Sequence, residues 1–195
     1  MTVPRALTLR STPAGLRLVQ SPVEELEELR ETRHQLKRVK LDTAAAWLET
    51  LNFPAGLAEV ELDLEQVPDS GSVALTLQHG TTGTTVIRAD LAAGTLQVDR
   101  TQSGRSDFQP AFAGVHTAPL RVDRGRLRLH VLVDVSSVEV FAQNGETVLT
   151  DLILPATSDL GVRLSAEGAA RALQIRSASL WALRAAPPLN KPSLP

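Results

Sequence analysis

The sequence has no cysteine and no tyrosine, and its only aromatic residues are four Phe and two Trp, 3% of the chain. Without cysteine there are no disulfides and no thiolate metal sites, and the redox compartment stays undetermined. The shortage of aromatic rings leaves little material for the platforms on which many sugar-binding modules stack pyranose rings. That counts against an autonomous carbohydrate-binding module. No apolar run approaches the roughly 18–20 residues of a membrane span. The opening MTVPRALTLR lacks the apolar stretch of a secretory signal, and nothing else places the protein inside or outside a cell. Neither sign of charge dominates. Lys and Arg total 20 against 22 Asp and Glu, interspersed along the chain, so there is no electrostatic footprint for nucleic acid. Catalytic signatures are missing too: there is no HExxH, GxSxG elbow, P-loop or GxGxxG. The four histidines, His34, His79, His116 and His130, do not fall at the spacing of a metal-binding pair.

What is present is β-pattern. At 43% hydrophobic and 22% charged, 195 residues hold ample material for a core. The most ordered stretch is RLRLHVLVDVSSVEVFAQNGETVLT, Arg126–Thr150. It contains two alternating, β-branched runs, Leu127–Val133 and Val138–Ala142, with Asp134-Val135-Ser136-Ser137 between them as a turn. Gln143-Asn144-Gly145 supplies a second, hairpin-type turn in which Asn-Gly tolerates positive φ. The stretch reads as a three-stranded antiparallel meander.

Ala6–Arg10 and Leu16–Gln20 read as a hairpin joined by Ser11-Thr12-Pro13-Ala14-Gly15. Two strands alone are marginal in water, so this hairpin must add to a sheet in this chain or another. Ser21-Pro22-Val23-Glu24 reads as a helix start, with Ser as N-cap, Pro in the first turn and Glu24 completing a capping box. The helix is expected to run to about Arg30, followed by a basic linker, Arg33–Lys40. From Val39 onward the pattern reads as β throughout. Ala58–Glu65 alternates strictly, with Val60, Leu62 and Leu64 inward and Glu59, Glu61, Asp63 and Glu65 in water. Further strands are expected at Val73–Gln78, Thr84–Ala89, Leu96–Asp99 and Gly161–Ser165, with a polar loop over Arg100–Gln109. A long final strand, Arg171–Leu183, carries Leu173, Ile175 and Trp181 inside. Ala185–Pro195, with four of the twelve prolines, is expected to be a loosely held tail.

Carboxylates deserve separate treatment, because glycoside hydrolysis needs only a pair of them. Asp134 and Glu139 flank the central turn. Asp134 is better explained as an acceptor for the backbone N–H of Ser136 or Ser137, and Glu139 as an outward residue between Val138 and Val140. Asp99 and Asp107 bracket the polar loop with Arg100, Arg105 and Ser106, where an Asp–Arg pair that stiffens the loop is the expected arrangement. His130 reads as a surface or packed strand histidine.

Two stretches then resemble a known family. LQVDRTQSG (Leu96–Gly104), leading through Phe108 and Phe112 to His116-Thr117-Ala118-Pro119-Leu120, resembles the DR-x-x-SG segment of the C-terminal module of glycoside hydrolase family 32. LHVLVDVSSVEVFAQNGETVLT (Leu129–Thr150) resembles that module's hydrophobic-V-D-R-S-S-V-E-V-F-x-N-x-G hallmark. MTVPRALTLR and GLRLVQSPVEELEELR are similar to the family's M-T-x-P-R-E-L-x-L and L-x-Q-x-P-x-x-E-L segments. The motif residues carried over are Asp99, Arg100, Ser103, Gly104, Asp134, Ser136, Ser137, Glu139, Phe141 and Gly145, all in structural roles. Two departures stand out: Val135 replaces the usual Arg, and Ala6 the usual Glu.

The resemblance, which covers roughly residues 1–183, implies an all-β fold: a jelly-roll or lectin-like antiparallel sandwich of two sheets, about six strands each, with an N-terminal hairpin and a short linker helix. Residues 1–20 are then a remnant of the last blade of a five-bladed catalytic propeller, residues 21–38 a linker, 39–184 the sandwich and 185–195 a tail. The family's catalytic carboxylates lie in W-M-N-D-P-N-G, R-D-P and E-C motifs, and none of these occurs here. The expectation is therefore a non-catalytic module of a levanase-, inulinase- or invertase-like enzyme, separated from its propeller, with no catalytic, metal or cofactor residues and no cofactor. Its expected partner is the propeller of the same enzyme. A second copy pairing through residues 1–20 and weak glycan binding in a lectin-like mode are the alternatives.

Overall fold

A computed structural model describes residues 2–12 and 15–186. The chain begins with the expected hairpin, β1 (Arg5–Thr12) and β2 (Gly15–Pro22), paired from Arg5↔Pro22 to Thr12↔Gly15; Pro13 and Ala14 of its loop lie outside the described residues. A 3-10 segment, Glu24–Leu29, leads into β3 (Arg30–Lys40), helix α1 (Leu41–Leu48) and β4 (Asn52–Phe53). Then follow β5 (Ala58–Glu65), β6 (Ser72–His79), β7 (Gly83–Asp90), β8 (Thr95–Gln102) and β9 (Val115–Pro119). The remaining strands are β10 (Arg126–Asp134), β11 (Ser137–Ala142), β12 (Thr147–Leu152), β13 (Leu160–Glu167) and, after a 3-10 turn at Gly168–Ala172, β14 (Gln174–Leu183).

Twelve of these strands form two six-stranded sheets, ordered β12-β11-β10-β5-β14-β3 and β4-β13-β6-β7-β8-β9. The architecture is the expected sandwich. Alternation explains the core: Val60, Leu62 and Leu64 of β5 and Leu127, Leu129, Val131 and Val133 of β10 all point inward, each at most 2% exposed. They meet Leu75 and Leu77 of β6, Ile87 of β7 and Leu96 and Val98 of β8 across the interlayer space, all fully buried. At about 25 cal/mol per Å² of apolar area removed from water, this interlayer is the main stabilising element. No helix among the described residues is long and apolar enough to cross a membrane.

Four local expectations are corrected. Ser21 caps no helix, because it is paired with Ala6 inside the hairpin; the helical segment is 3-10, starts after Val23 and has no side-chain cap. The basic stretch expected as linker is β3, an edge strand paired with β14 from Arg30↔Leu183 to Lys40↔Gln174. Its charged side chains suit an edge, where they discourage pairing with foreign strands. The segment after Val39 is not β throughout. Leu41–Leu48 is helical and buries Leu41, Ala44 and Leu48 at helical spacing, packed against β13 and β3. Finally, Trp181 is buried but lies outside the interlayer core, on the outer face of its sheet. Of the expected tail, residues 187–195 lie outside the described residues.

Candidate functional site

The outer face of the β12-β11-β10-β5-β14-β3 sheet carries side chains in registered rows. One row runs Glu139, Leu132, Glu59, Trp181, Arg33, and the next Phe141, His130, Glu61, Ser179, Gln35. Half of such a face is ordinarily solvated. Here Glu139 and Glu59 are only 1% and 3% exposed, which corrects the expectation that both lie on open surface. The hairpin and β3 cover them.

Glu139 receives the hairpin. Its carboxylate accepts from Arg5 Nη2 at 2.5 Å and from the Val3 backbone N–H at 2.6 Å. Arg5 also donates to Thr150 Oγ1 and Gln20 Oε1, and its guanidinium lies 5.1 Å from the Phe141 ring centroid. Further along, Arg10 reaches Glu146 at 2.8 Å, Val19 is buried, and Gln20 N–H donates to the Gly145 carbonyl at 3.1 Å. Gly145 has φ +85°, and a Cβ there would overlap the Gln20 carbonyl, so this turn requires glycine for backbone conformation and for close approach. Phe141 and Gly145, quoted above as motif residues, are thus brought together with Glu139 beneath one hairpin.

Glu59 is the centre of a second cluster. Arg30 grips it bidentately (Nε 2.6 Å, Nη2 2.7 Å), and His130 Nε2 lies 2.7 Å from its Oε1. Burial alone would push this carboxyl up, but the Arg30 and His130 hydrogen bonds outweigh it and hold it down at about 2. Glu59 in turn raises the Arg30 guanidinium above its ordinary value. Arg30 also lies 4.2 Å from the Trp181 ring, which explains how Trp181 is buried on an outer face. One donor atom each from Glu59, Glu61 and His130 falls within 4.8 Å of the others, but Arg30 already supplies the positive charge that this set would take from a cation.

The DR-x-x-SG motif is arranged differently from the expectation. Asp99 accepts from the Thr101 N–H and hydroxyl at 2.9 and 2.7 Å. Arg100 pairs at 3.2 Å with Asp151, a residue that no sequence motif singles out. Asp151 is 1% exposed on its side chain and also bonds His116 Nδ1 at 2.5 Å. Arg100 further donates to the Leu152 carbonyl at 3.1 Å and lies 4.3 Å from the Phe112 ring centroid. Ser103 Oγ joins a buried chain through Thr85 to His79, whose imidazole burial pushes down. Gly104 sits so close to the Leu154 carbonyl that a side chain would collide with it. Asp107 meets Arg105 at 3.9 Å on open surface, a contact worth little.

At the central turn, Asp134 accepts from the Val135 N–H at 2.7 Å, not from Ser136 or Ser137. Ser136 offers its carbonyl to Ile153 N–H at 3.0 Å, and Ser137 is buried in β11. Val135, at the usual arginine position, is 54% exposed.

These groups tie and orient; the buried acids Glu59, Glu139 and Asp151 each already have cationic or N–H partners. Beside them lie two exposed apolar features. On the hairpin, Leu7, Leu9, Leu16 and Leu18 are 55–64% exposed, with Leu9 directly opposite Leu18. Beside Val3, an apolar cup of about 310 Å³ is lined by Leu26, Leu29, Leu132 and Leu183, among others.

The family model describing the C-terminal part of glycosyl hydrolases family 32 matches residues 25–182. A levanase of Bacillus subtilis (strain 168) is 37% identical over 171 residues, covering 85% of this chain and 24% of the levanase. A levanase of Bacillus sp. (strain L7) is 33% identical over 171 residues, covering 86% of this chain and 18% of that protein. The crystal structure of exo-inulinase from Aspergillus awamori superposes with a TM-score of 0.75 at 27% identity, over 94% of this chain and 36% of that one. The chain therefore spans less than a quarter of either levanase.

Proposed function

The chain belongs to the family of glycosyl hydrolases family 32 C-terminal domains, and on that premise we propose that it is the non-catalytic sandwich module of a fructan- or sucrose-hydrolysing enzyme. Its task is to brace the catalytic propeller of that enzyme. One observation carries the reading: the hairpin is bolted to the sandwich through Arg5, Arg10 and buried Val19, yet still presents Leu7, Leu9, Leu16 and Leu18 to solvent. A two-stranded sheet with an exposed leucine face calls for further strands and an apolar cover. The last blade of a propeller supplies both. The cup beside Val3, lined by Leu26 and Leu29 of the 3-10 segment, gives the catalytic domain a second place to seat. Residues 1–20 then belong to the propeller by fold and to the sandwich by ion pairs.

Two measurements test this. Pure chain incubated with levan, inulin or sucrose is expected to release no fructose. Supplied in trans to a levanase from which the corresponding module has been deleted, the chain is expected to restore soluble, active enzyme. Fructose release by the chain alone would overturn the non-catalytic reading, and failure to restore the truncated levanase would overturn the bracing one.

A further inference from the structure

We propose that the loop between β8 and β9 is a binding platform for a neutral saccharide. Although the chain has only six aromatic residues, two of them meet here. Phe108 and Phe112 pair with ring centroids 4.8 Å apart, and Phe108 is 53% exposed. A loop that served packing alone would turn its rings inward, since burying a Phe side chain is favoured over leaving it in water.

The rings are also held in place. Arg100, with only 11% of its side chain exposed, lies 4.3 Å from the Phe112 centroid and is itself tied to buried Asp151. The loop is fastened to the segment joining β12 and β13 by the Arg105 N–H to Leu154 carbonyl bond at 2.9 Å and by the close seat of Gly104 on the same carbonyl. Within it, Phe112 N–H donates to Gln109 at 2.9 Å. An exposed aromatic pair on a fastened loop is preorganised, which lowers the ordering cost of binding.

The surrounding polar groups define the ligand class. His116, half exposed, shares Asp151 with Arg100 and gives Nδ1 to that carboxylate. In the neutral ring this leaves Nε2 as an acceptor for a hydroxyl. Arg105, whose guanidinium lies 5.6 Å from the Phe108 ring centroid, and Asp107, 3.9 Å from that guanidinium, are both largely exposed and together add no net charge. The platform thus combines an apolar face with donors and acceptors of no net sign, matching the C–H face and hydroxyl rim of a sugar.

Titration calorimetry of the chain with short inulin-type and levan-type fructo-oligosaccharides, and with maltotriose as a second neutral sugar, tests the proposal. The choice of fructans as first probes rests on the function proposed above. Saturable binding is expected, weakened roughly three- to tenfold by Phe108→Ala at unchanged Tm, and weakened also by His116→Ala. Absence of saturable binding to any of these sugars overturns the proposal, as does undiminished binding by Phe108→Ala. If Phe108→Ala instead impairs restoration of the truncated levanase while no sugar binds, the loop is a protein contact; the platform then fails and the bracing role stands.

Discussion

Arg5 Nη2 and the Glu139 carboxylate meet at 2.5 Å across 134 residues of sequence, in a seam where Glu139 is 1% exposed. Removing the acid leaves a guanidinium and the Val3 N–H without their acceptor. Breaking a buried pair in this way costs about 3–5 kcal/mol. Glu139→Ala is expected to speed amide exchange throughout β1 and β2 while β5, β10 and β14 stay protected, because the loss falls on the clamp and not on the core. Hydrogen exchange read by mass spectrometry checks it, and unchanged protection of the hairpin would show that the ion pair does not hold it.

Acid should weaken the fold in two stages. The Glu59 carboxyl sits at about 2 against an ordinary 4.5, so the unfolded chain takes up protons first. The stabilisation is complete above about pH 4.5 and is lost as pH falls toward 2. His79 acts earlier: burial lowers it from 6.5, so its contribution is complete above that value and erodes below it. Urea midpoints should decline gently below about pH 6.5 and more steeply below about 4.5. Glu59→Gln is expected to cost a few kcal/mol at neutral pH and to flatten the lower stage. A variant profile parallel to the parent's would exclude Glu59 as the titrating group.

Gly114 and Gly145 should differ in their response to alanine. At Gly145, φ is +85° and the added carbon overlaps the Gln20 carbonyl, whereas at Gly114 it meets nothing within 4 Å. Gly145→Ala is expected to destabilise by about 1–3 kcal/mol and to loosen β2. Gly114→Ala should fall within about 0.5 kcal/mol of the parent. Equal denaturation midpoints for the two variants would refute the close-approach account.

Charging the leucine face separates docking from stability. Leu9 and Leu18 are cross-strand neighbours at 63% and 55% exposure, so Leu9→Lys with Leu18→Lys should change the stability of the isolated chain by less than about 0.5 kcal/mol per site. The same pair of changes should abolish restoration of a module-deleted levanase. If restoration survives, the catalytic domain seats elsewhere.

The sandwich was legible wherever one face of a strand is buried and the other wet, because period-two alternation then survives in the sequence, as in β5 and β10. It was obscured in β3, where RETRHQLKRVK turns only Leu36 and Val39 as apolar side chains toward the core and Arg38, at positive φ between them, breaks the period of two. Helix α1 was readable in principle from Leu41, Ala44 and Leu48 but was submerged in a β-rich context. The false capping box at Ser21 shows a local signal overruled by pairing with Ala6. Asp99 failed the other way, since a bond to Thr101 two residues on displaced the longer-range arginine pairing. Asp151, partner of both Arg100 and His116, left no mark in the sequence. Its role exists only once β8, β9 and β12 have been brought together.

The position of β14, between β5 and β3, bears on how the chain is made. Of the described strands, β14 is synthesised after all the others and yet lies in the interior of its sheet. Until residue 183 has emerged, β3 has no partner and β5 presents one unpaired edge, however complete the other sheet is. A nascent chain in which β14 has not yet emerged therefore exposes the facing edges of β5 and β3, and a stop codon shortly before Gln174 would split one sheet from within instead of trimming its border.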